Sequence, residues 1–144
     1  MKISDKGLEL IQTFEGCRLT AYRCSAGRWT IGYGHTGTEV VEGLRITQAR
    51  ATELLLLDAN EVLTMLRSEI RQPVRQCQLD ALVSLGFNIG ANALRKSTLL
   101  RLVNRNPDNP DIEKEFMRWV YVKGTVSAGL ERRRKAEAKL YAEK

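Results

Sequence analysis

Between Ser4 and Gly16 apolar residues return every three to four positions, with Leu8, Ile11 and Phe14 on one face. Ser4 can accept the first free amides and Gly16 suits a left-handed stop, so a helix is predicted over 4–15. Over 17–43 the period shortens. Glycines at 27, 32, 34, 37 and 43 punctuate β-branched and aromatic residues, the pattern of a small antiparallel sheet. From Thr47 onward everything reads as helical. Over 47–70, Ala51, Leu55, Ala59, Val62 and Leu66 form one stripe, and the leucine run 54–57 widens it almost to a girdle. Such a helix is expected to be buried on most sides, as a beam joining two lobes, and to end at Pro73. Shorter helices are predicted near 75–86, 97–105, 109–120 and 127–142. No internal repeat, low-complexity tract or linker interrupts the pattern. The expectation is one α+β domain over 1–144: a small antiparallel sheet lobe at about 15–46, a connecting helix at about 47–70, and a helical lobe at about 71–144 that also takes in the first helix.

Composition narrows the class. With 43% hydrophobic and 28% charged residues, the 144-residue chain is neither disordered nor fibrous and can bury one core. The N-terminal stretch has no apolar run of signal-peptide length, and nothing later approaches a membrane span, which predicts a soluble chain made in the cytoplasm. Cys17, Cys24 and Cys77 match neither a zinc site nor a disulfide framework, so reduced thiols and no metal are expected. The net charge of +6 points to an anionic partner, and nucleic acid, a phospholipid surface and bacterial wall polymer all qualify. The densest basic run, 131–139, lies in a predicted helix where Glu131 can pair with Lys135, so it reads as a solvated face.

The stretch RCSAGRWTIGYGHTG, residues 23–37, concentrates glycines, aromatics and the sole histidine. Just before it, Glu15 falls in the last turn of the first helix. There the negative end of the helix dipole and the neighbouring Phe14 both disfavour an ionised carboxylate. A carboxyl kept protonated near neutral pH is what a general acid requires, and the sheet beginning after Gly16 could hold a substrate against it. Taken alone, Glu15 reads more readily as a solvated residue before a cap than as a catalytic acid. His35 invites a catalytic reading, yet the structural one is preferred, with the imidazole bonding a carboxylate or carbonyl to fix the hairpin end. Trp29 and Tyr33 could stack on a sugar, although strand aromatics in a small sheet usually build its core.

From Glu15, eight residues lead to Cys24 and five more to Thr30. This spacing resembles the phage-type lysozymes of glycoside hydrolase family 24, whose pattern is Glu, eight residues, Asp or Cys, five residues, Thr. LTAYRCSAGRWTIGYGHTG looks like that family's active-site hairpin, QLDALVSLGFNIGANALRKSTLLRLVN like its central helical segment, and GLERRRKAEAKLY like its C-terminal helix. The resemblance spans about residues 4–142.

That resemblance implies a lysozyme-like fold with a cleft between the lobes. It also implies hydrolysis of the β-1,4 bond between N-acetylmuramic acid and N-acetylglucosamine of peptidoglycan, with no cofactor. Glu15 would be the general acid and Thr30 would help to hold the attacking water. Position 24 is Cys rather than the commoner Asp, and an ordinary thiol is only about 3% thiolate at pH 7, so Cys24 could serve as base, as transient nucleophile or as a polar neighbour. Arg23 and Arg28 could raise its thiolate fraction. Phe87 and Asn88 would face the cleft, the amide bonding an N-acetyl group or lactyl side chain, or else Asn88 caps the break before Gly90. Ser97 and Thr98 are candidates for the same cleft wall, with N-capping of the next helix the competing role. Cys77, sharing a face with Ala81 and Leu85, reads as core.

The implied setting is a monomeric phage or prophage endolysin. It would be held in the host cytoplasm before lysis and reach periplasmic peptidoglycan through a holin-type lesion, without stable membrane insertion of its own. A lytic transglycosylase using Glu15 alone is the enzymatic alternative. A basic nucleic-acid-binding module is the non-enzymatic one, disfavoured because no groove-reading motif is present. Cys17 and Cys24, seven residues apart, can bridge only if the segment between them is bent, since full extension separates them by up to about 23 Å. A bridge would sequester the thiol of Cys24.

Overall fold

A computed structural model describes all 144 residues. Helix α1, Asp5–Glu15, starts where the Ser4 hydroxyl accepts from the Gly7 amide and stops at Gly16, whose φ of +66° ends the helix. The chain then forms β1 (Arg18–Arg23), β2 (Trp29–Gly32) and β3 (His35–Thr36), an antiparallel sheet in the order β1-β2-β3. Tyr22 faces Thr30 across the first pair, and Ile31 faces His35 across the second. The predicted sheet and first helix are both present.

Helix α2, Gln48–Glu69, is capped by the Thr47 hydroxyl, and its stripe Ala51, Leu55, Ala59, Val62, Leu66 is buried as expected. One expectation about it is corrected. The leucine run does not make a girdle: Leu54 and Leu55 are buried, whereas Leu56 and Leu57 are 44% and 57% exposed. Protein covers only one side of α2, with the sheet lobe on its first half and the helical lobe beyond. The helix ends at Ile70, as the predicted 47–70 span has it, with the Ile70 amide donating to the Leu66 carbonyl three residues before Pro73.

The helical lobe is built around α3, Gln76–Ile89, which is buried continuously from Gln78 to Gly86 and packs against α1, α2 and the last helix. A Cβ at Gly86 would sit 2.5 Å from Val62 Cγ1, so the glycine lets α2 and α3 cross closely where the lobes meet. Helices α4 (Ala91–Arg95), α5 (Thr98–Arg105), α6 (Asp111–Phe116) and α7 (Ala128–Tyr141) complete the lobe. The region after Thr47 is not wholly helical, because β4 (Tyr121–Val122) and β5 (Thr125–Val126) form a hairpin between α6 and α7. Lys123 and Gly124 both have positive φ, 50° and 80°, matching a tight turn to the twist of the strands.

Cys77 is partly buried against the core, and its thiol donates to the Glu143 carbonyl at 3.1 Å. All three cysteines are free thiols, and β1 lies extended between Cys17 and Cys24.

Candidate active site

Glu15 is the last residue of α1, held from behind by α7. The Arg133 guanidinium donates through Nη1 to Glu15 Oε2 at 2.6 Å, through Nε to Glu137 Oε2 at 3.1 Å, and through Nη2 to the Ser84 carbonyl at 3.0 Å. Arg134 donates to Glu137 Oε1, to Asn88 Oδ1 and, at 2.9 Å, to the Trp119 carbonyl, while the Ser84 hydroxyl donates to Glu137. Arg133, Arg134 and Glu137 are 3%, 0% and 0% exposed. This corrects the solvated-face reading of the basic run in part: Arg132, Lys135 and Lys139 are exposed, and Glu131 pairs with Lys135 at 3.3 Å as expected, whereas Arg133, Arg134 and Glu137 face inward. It also changes the surroundings expected for Glu15, because beside the helix end and Phe14 stands the guanidinium bonded to its Oε2. A signal was available in the sequence. Leu130, Arg133, Arg134, Glu137 and Tyr141 recur at helical spacing, and Glu137 lies four and three residues beyond the two arginines.

The other carboxyl oxygen of Glu15 faces the sheet lobe. Gly34, in the turn between β2 and β3, has φ +83°, and a Cβ there would lie 3.4 Å from Glu15 Oε1. The glycine both makes the turn and clears space over the acid. His35 follows it. Its Nδ1 lies 2.9 Å from Asp58 Oδ2 on α2 and its Nε2 lies 2.7 Å from Glu39 Oε1, so the imidazole ties the hairpin end to α2, the structural role preferred from sequence. Burial of the ring opposes its charge, but hydrogen bonds to Glu39 and Asp58 outweigh burial and hold His35 above the usual histidine range.

Cys24 and Thr30 come together at the opposite end of the first hairpin, where the Cys24 amide donates to the Arg28 carbonyl at 2.9 Å. Hydrogen bonds from the backbone of Arg28 and Ala26, then from the Thr30 side chain, hold the Cys24 thiol below the usual cysteine range. These bonds replace the arginine charges expected from sequence; Arg23 instead lies over the Trp29 ring, 4.8 Å from its centroid. Thr30 is 3% exposed and its hydroxyl donates to the Arg28 carbonyl at 3.0 Å. Neither Cys24 nor Thr30 hydrogen-bonds Glu15. Tyr33 belongs to the main core, its hydroxyl accepting from Gln48 at 3.0 Å, and Trp29 packs on the small cluster of Ile31, Val40 and Leu54.

Two cavities flank Glu15 and Gly34. One, about 520 Å³, is lined by Thr13, Phe14, Glu15, Asn88 and the start of α7. The other, about 360 Å³, is lined by Gly34, Thr36, Asp58, Glu61 and Phe87 among others. Phe87 and Asn88, successive residues in the last turn of α3, thus open onto different arms of the cleft. Asn88 does not cap the break, since it lies inside α3 and Gly90 is the terminating residue; with its oxygen on Arg134, its NH₂ is free to donate.

Residues 12–137 match the family model described as phage lysozyme. The chain belongs to the phage lysozyme family. An endolysin of Acyrthosiphon pisum secondary endosymbiont phage 1 is 46% identical, the alignment covering 98% of each chain. Endolysins of Bacillus phages B103 and PZA are 38% and 37% identical, but the chain spans only 54% and 55% of their length. Among solved structures, the muramidase domain of SpmX from Asticaccaulis excentricus superposes with a TM-score of 0.91 at 39% identity, covering 99% of each chain. A mutant P22 lysozyme superposes at 0.87 with 38% identity, again over 99% of each. The α+β lysozyme-like fold is therefore shared throughout.

Against this phage lysozyme frame the remaining candidates lie further out. Ser97 is 7% exposed and caps α5: its hydroxyl donates to the Leu94 carbonyl at 2.7 Å and accepts from the Leu100 amide at 3.1 Å. Thr98 accepts from Arg101 at 2.9 Å. Neither lines the two cavities beside Glu15. No group of three or more His, Cys, Asp or Glu side chains is arranged to hold a metal ion.

Proposed function

We propose that this chain is the muramidase of a phage endolysin, hydrolysing the β-1,4 bond between N-acetylmuramic acid and N-acetylglucosamine in host peptidoglycan. The observation that carries the reading is the Glu15 carboxyl, fixed through Oε2 by a buried arginine while Oε1 looks past Gly34 toward the sheet lobe. Membership in the phage lysozyme family and the likeness to endolysins and a muramidase domain support the substrate class.

In the proposed reaction, Glu15 gives its proton to the glycosidic oxygen as the bond to the muramic C1 breaks. A water held beside Cys24 and Thr30 attacks C1 from the opposite face, which inverts the anomeric configuration. The thiolate of Cys24, favoured by the amides around it, takes the proton of that water. Solvent then resets both groups. Arg133 acts on the acid's orientation, and the free NH₂ of Asn88 can donate to an N-acetyl carbonyl.

The products test both the class and the route. Digested walls analysed by proton NMR and mass spectrometry are expected to show new reducing ends, formed first in the inverted α configuration. Anhydro-muramic ends would instead establish the lytic transglycosylase alternative, and retained β ends would establish a covalent thioglycoside at Cys24.

A further inference from the structure

The cavity on the α7 side of Glu15 contains three charged groups, and two of them are matched. Glu15 is bonded by Arg133, and Arg133 is shared with Glu137. The third, Arg132, is exposed and its guanidinium makes no ion pair or hydrogen bond with any residue of the chain. The opposite arm carries the reverse excess. Asp58 there is matched by His35, while Glu61 has no partner. A glycan of alternating N-acetylated sugars whose lactyl groups are amide-linked to peptide carries no charge along its backbone. It gives no use to a free guanidinium in the sugar cleft. The charges of that polymer lie on the stem peptides hanging from muramic acid, whose free groups nearest the sugar are carboxylates.

We propose that Arg132 is a binding residue for a stem-peptide carboxylate. The muramic acid would lie on the α7 side of Glu15 with its peptide running over the start of α7, away from Glu61. The proposal deepens the muramidase reading and rests on it. Electrostatic complementarity at an exposed position sets orientation and encounter more than tight binding, so a moderate effect on kcat/KM is expected.

The test compares wild type, Arg132→Ala and Arg105→Ala on three substrates, with release of reducing ends as readout. The substrates are native walls, walls whose carboxylates have been converted to carboxamides, and amidase-stripped glycan that keeps only lactyl carboxylates. Arg105 is a second unpaired exposed arginine, at the end of α5 and outside the cleft. Arg132→Ala is expected to lower kcat/KM on native walls about 5-fold, the upper end for an ion pair still in contact with water. The ratio of wild type to variant should fall below about 2 on both other substrates. An equal loss with Arg105→Ala would reduce the effect to general attraction by net charge and overturn the proposal. So would an equal loss on carboxamide walls, while a full loss on stripped glycan would assign the anion to the lactyl group instead. Wild type inactive on all three would overturn the muramidase reading and this inference with it.

Discussion

Glu137 is the residue on which the geometry behind Glu15 depends, and Glu137→Gln isolates its charge. Two arginines and two glutamates are balanced in the resting protein, with Arg133 and Arg134 at 3% and 0% exposure. Glutamine keeps the shape but leaves both guanidiniums facing Glu15 alone. Removing one partner of a buried ion pair costs about 3–5 kcal/mol, because the other charge stays buried without compensation. A domain of this length shifts by about 3 °C per kcal/mol, so the melting temperature should fall by about 9–15 °C. The urea midpoint should fall with it, with an unchanged slope. Ser84 would lose the carboxylate that accepts its hydroxyl proton, adding to the loss. Pairing the change with Arg134→Met restores one cation to one anion, Arg133 to Glu15. The double variant should therefore be more stable than the sum of the single losses by at least about 1 kcal/mol. A melting shift under about 3 °C, or strictly additive losses, would refute the claim that these charges depend on one another.

Two further outcomes follow from the titrating groups. His35 is held above its ordinary range by Glu39 and Asp58, so its charged form stabilises the fold below the unfolded value near about 6.5, and that contribution is lost as pH rises through the higher folded value. The stability gap between wild type and His35→Asn should thus narrow on raising pH from 5 to 9, and a gap independent of pH would exclude the ion pairs. Cys24, whose thiol is held below its usual range by backbone amides, should react with iodoacetamide at pH 7 faster than Cys17 or Cys77, with lytic activity lost in step; mass mapping of the modified peptides checks the order.

The first helix and the connecting helix were legible because their signals are local. Ser4, Gly16 and Thr47 act through backbone amides a few residues away, and the Ala51–Leu66 stripe is plain periodicity. The hairpin was legible through its glycine content and alternation, and the nearness of its Gly34 turn to Glu15 is a contact between residues nineteen positions apart that no local pattern shows. Arg133 and Arg134 were not, because a cation is buried by what faces it, and Glu15 and Ser84 are far away in sequence. The same holds for Leu56 and Leu57, since periodicity cannot say that only one side of α2 is covered. The β4–β5 hairpin was missed for another reason: the helical pattern on either side outweighed the turn signal of Lys123 and Gly124 between β-branched residues.

The central claim is that Glu15 delivers the proton that breaks the glycosidic bond, and reducing-end release by Glu15→Gln measures it most directly. The amide keeps the size of the side chain and can still accept from Arg133, so the variant should fold while its release of reducing ends from purified walls falls by at least about 100-fold. A folded Glu15→Gln protein that kept more than about a tenth of wild-type activity would contradict the assignment.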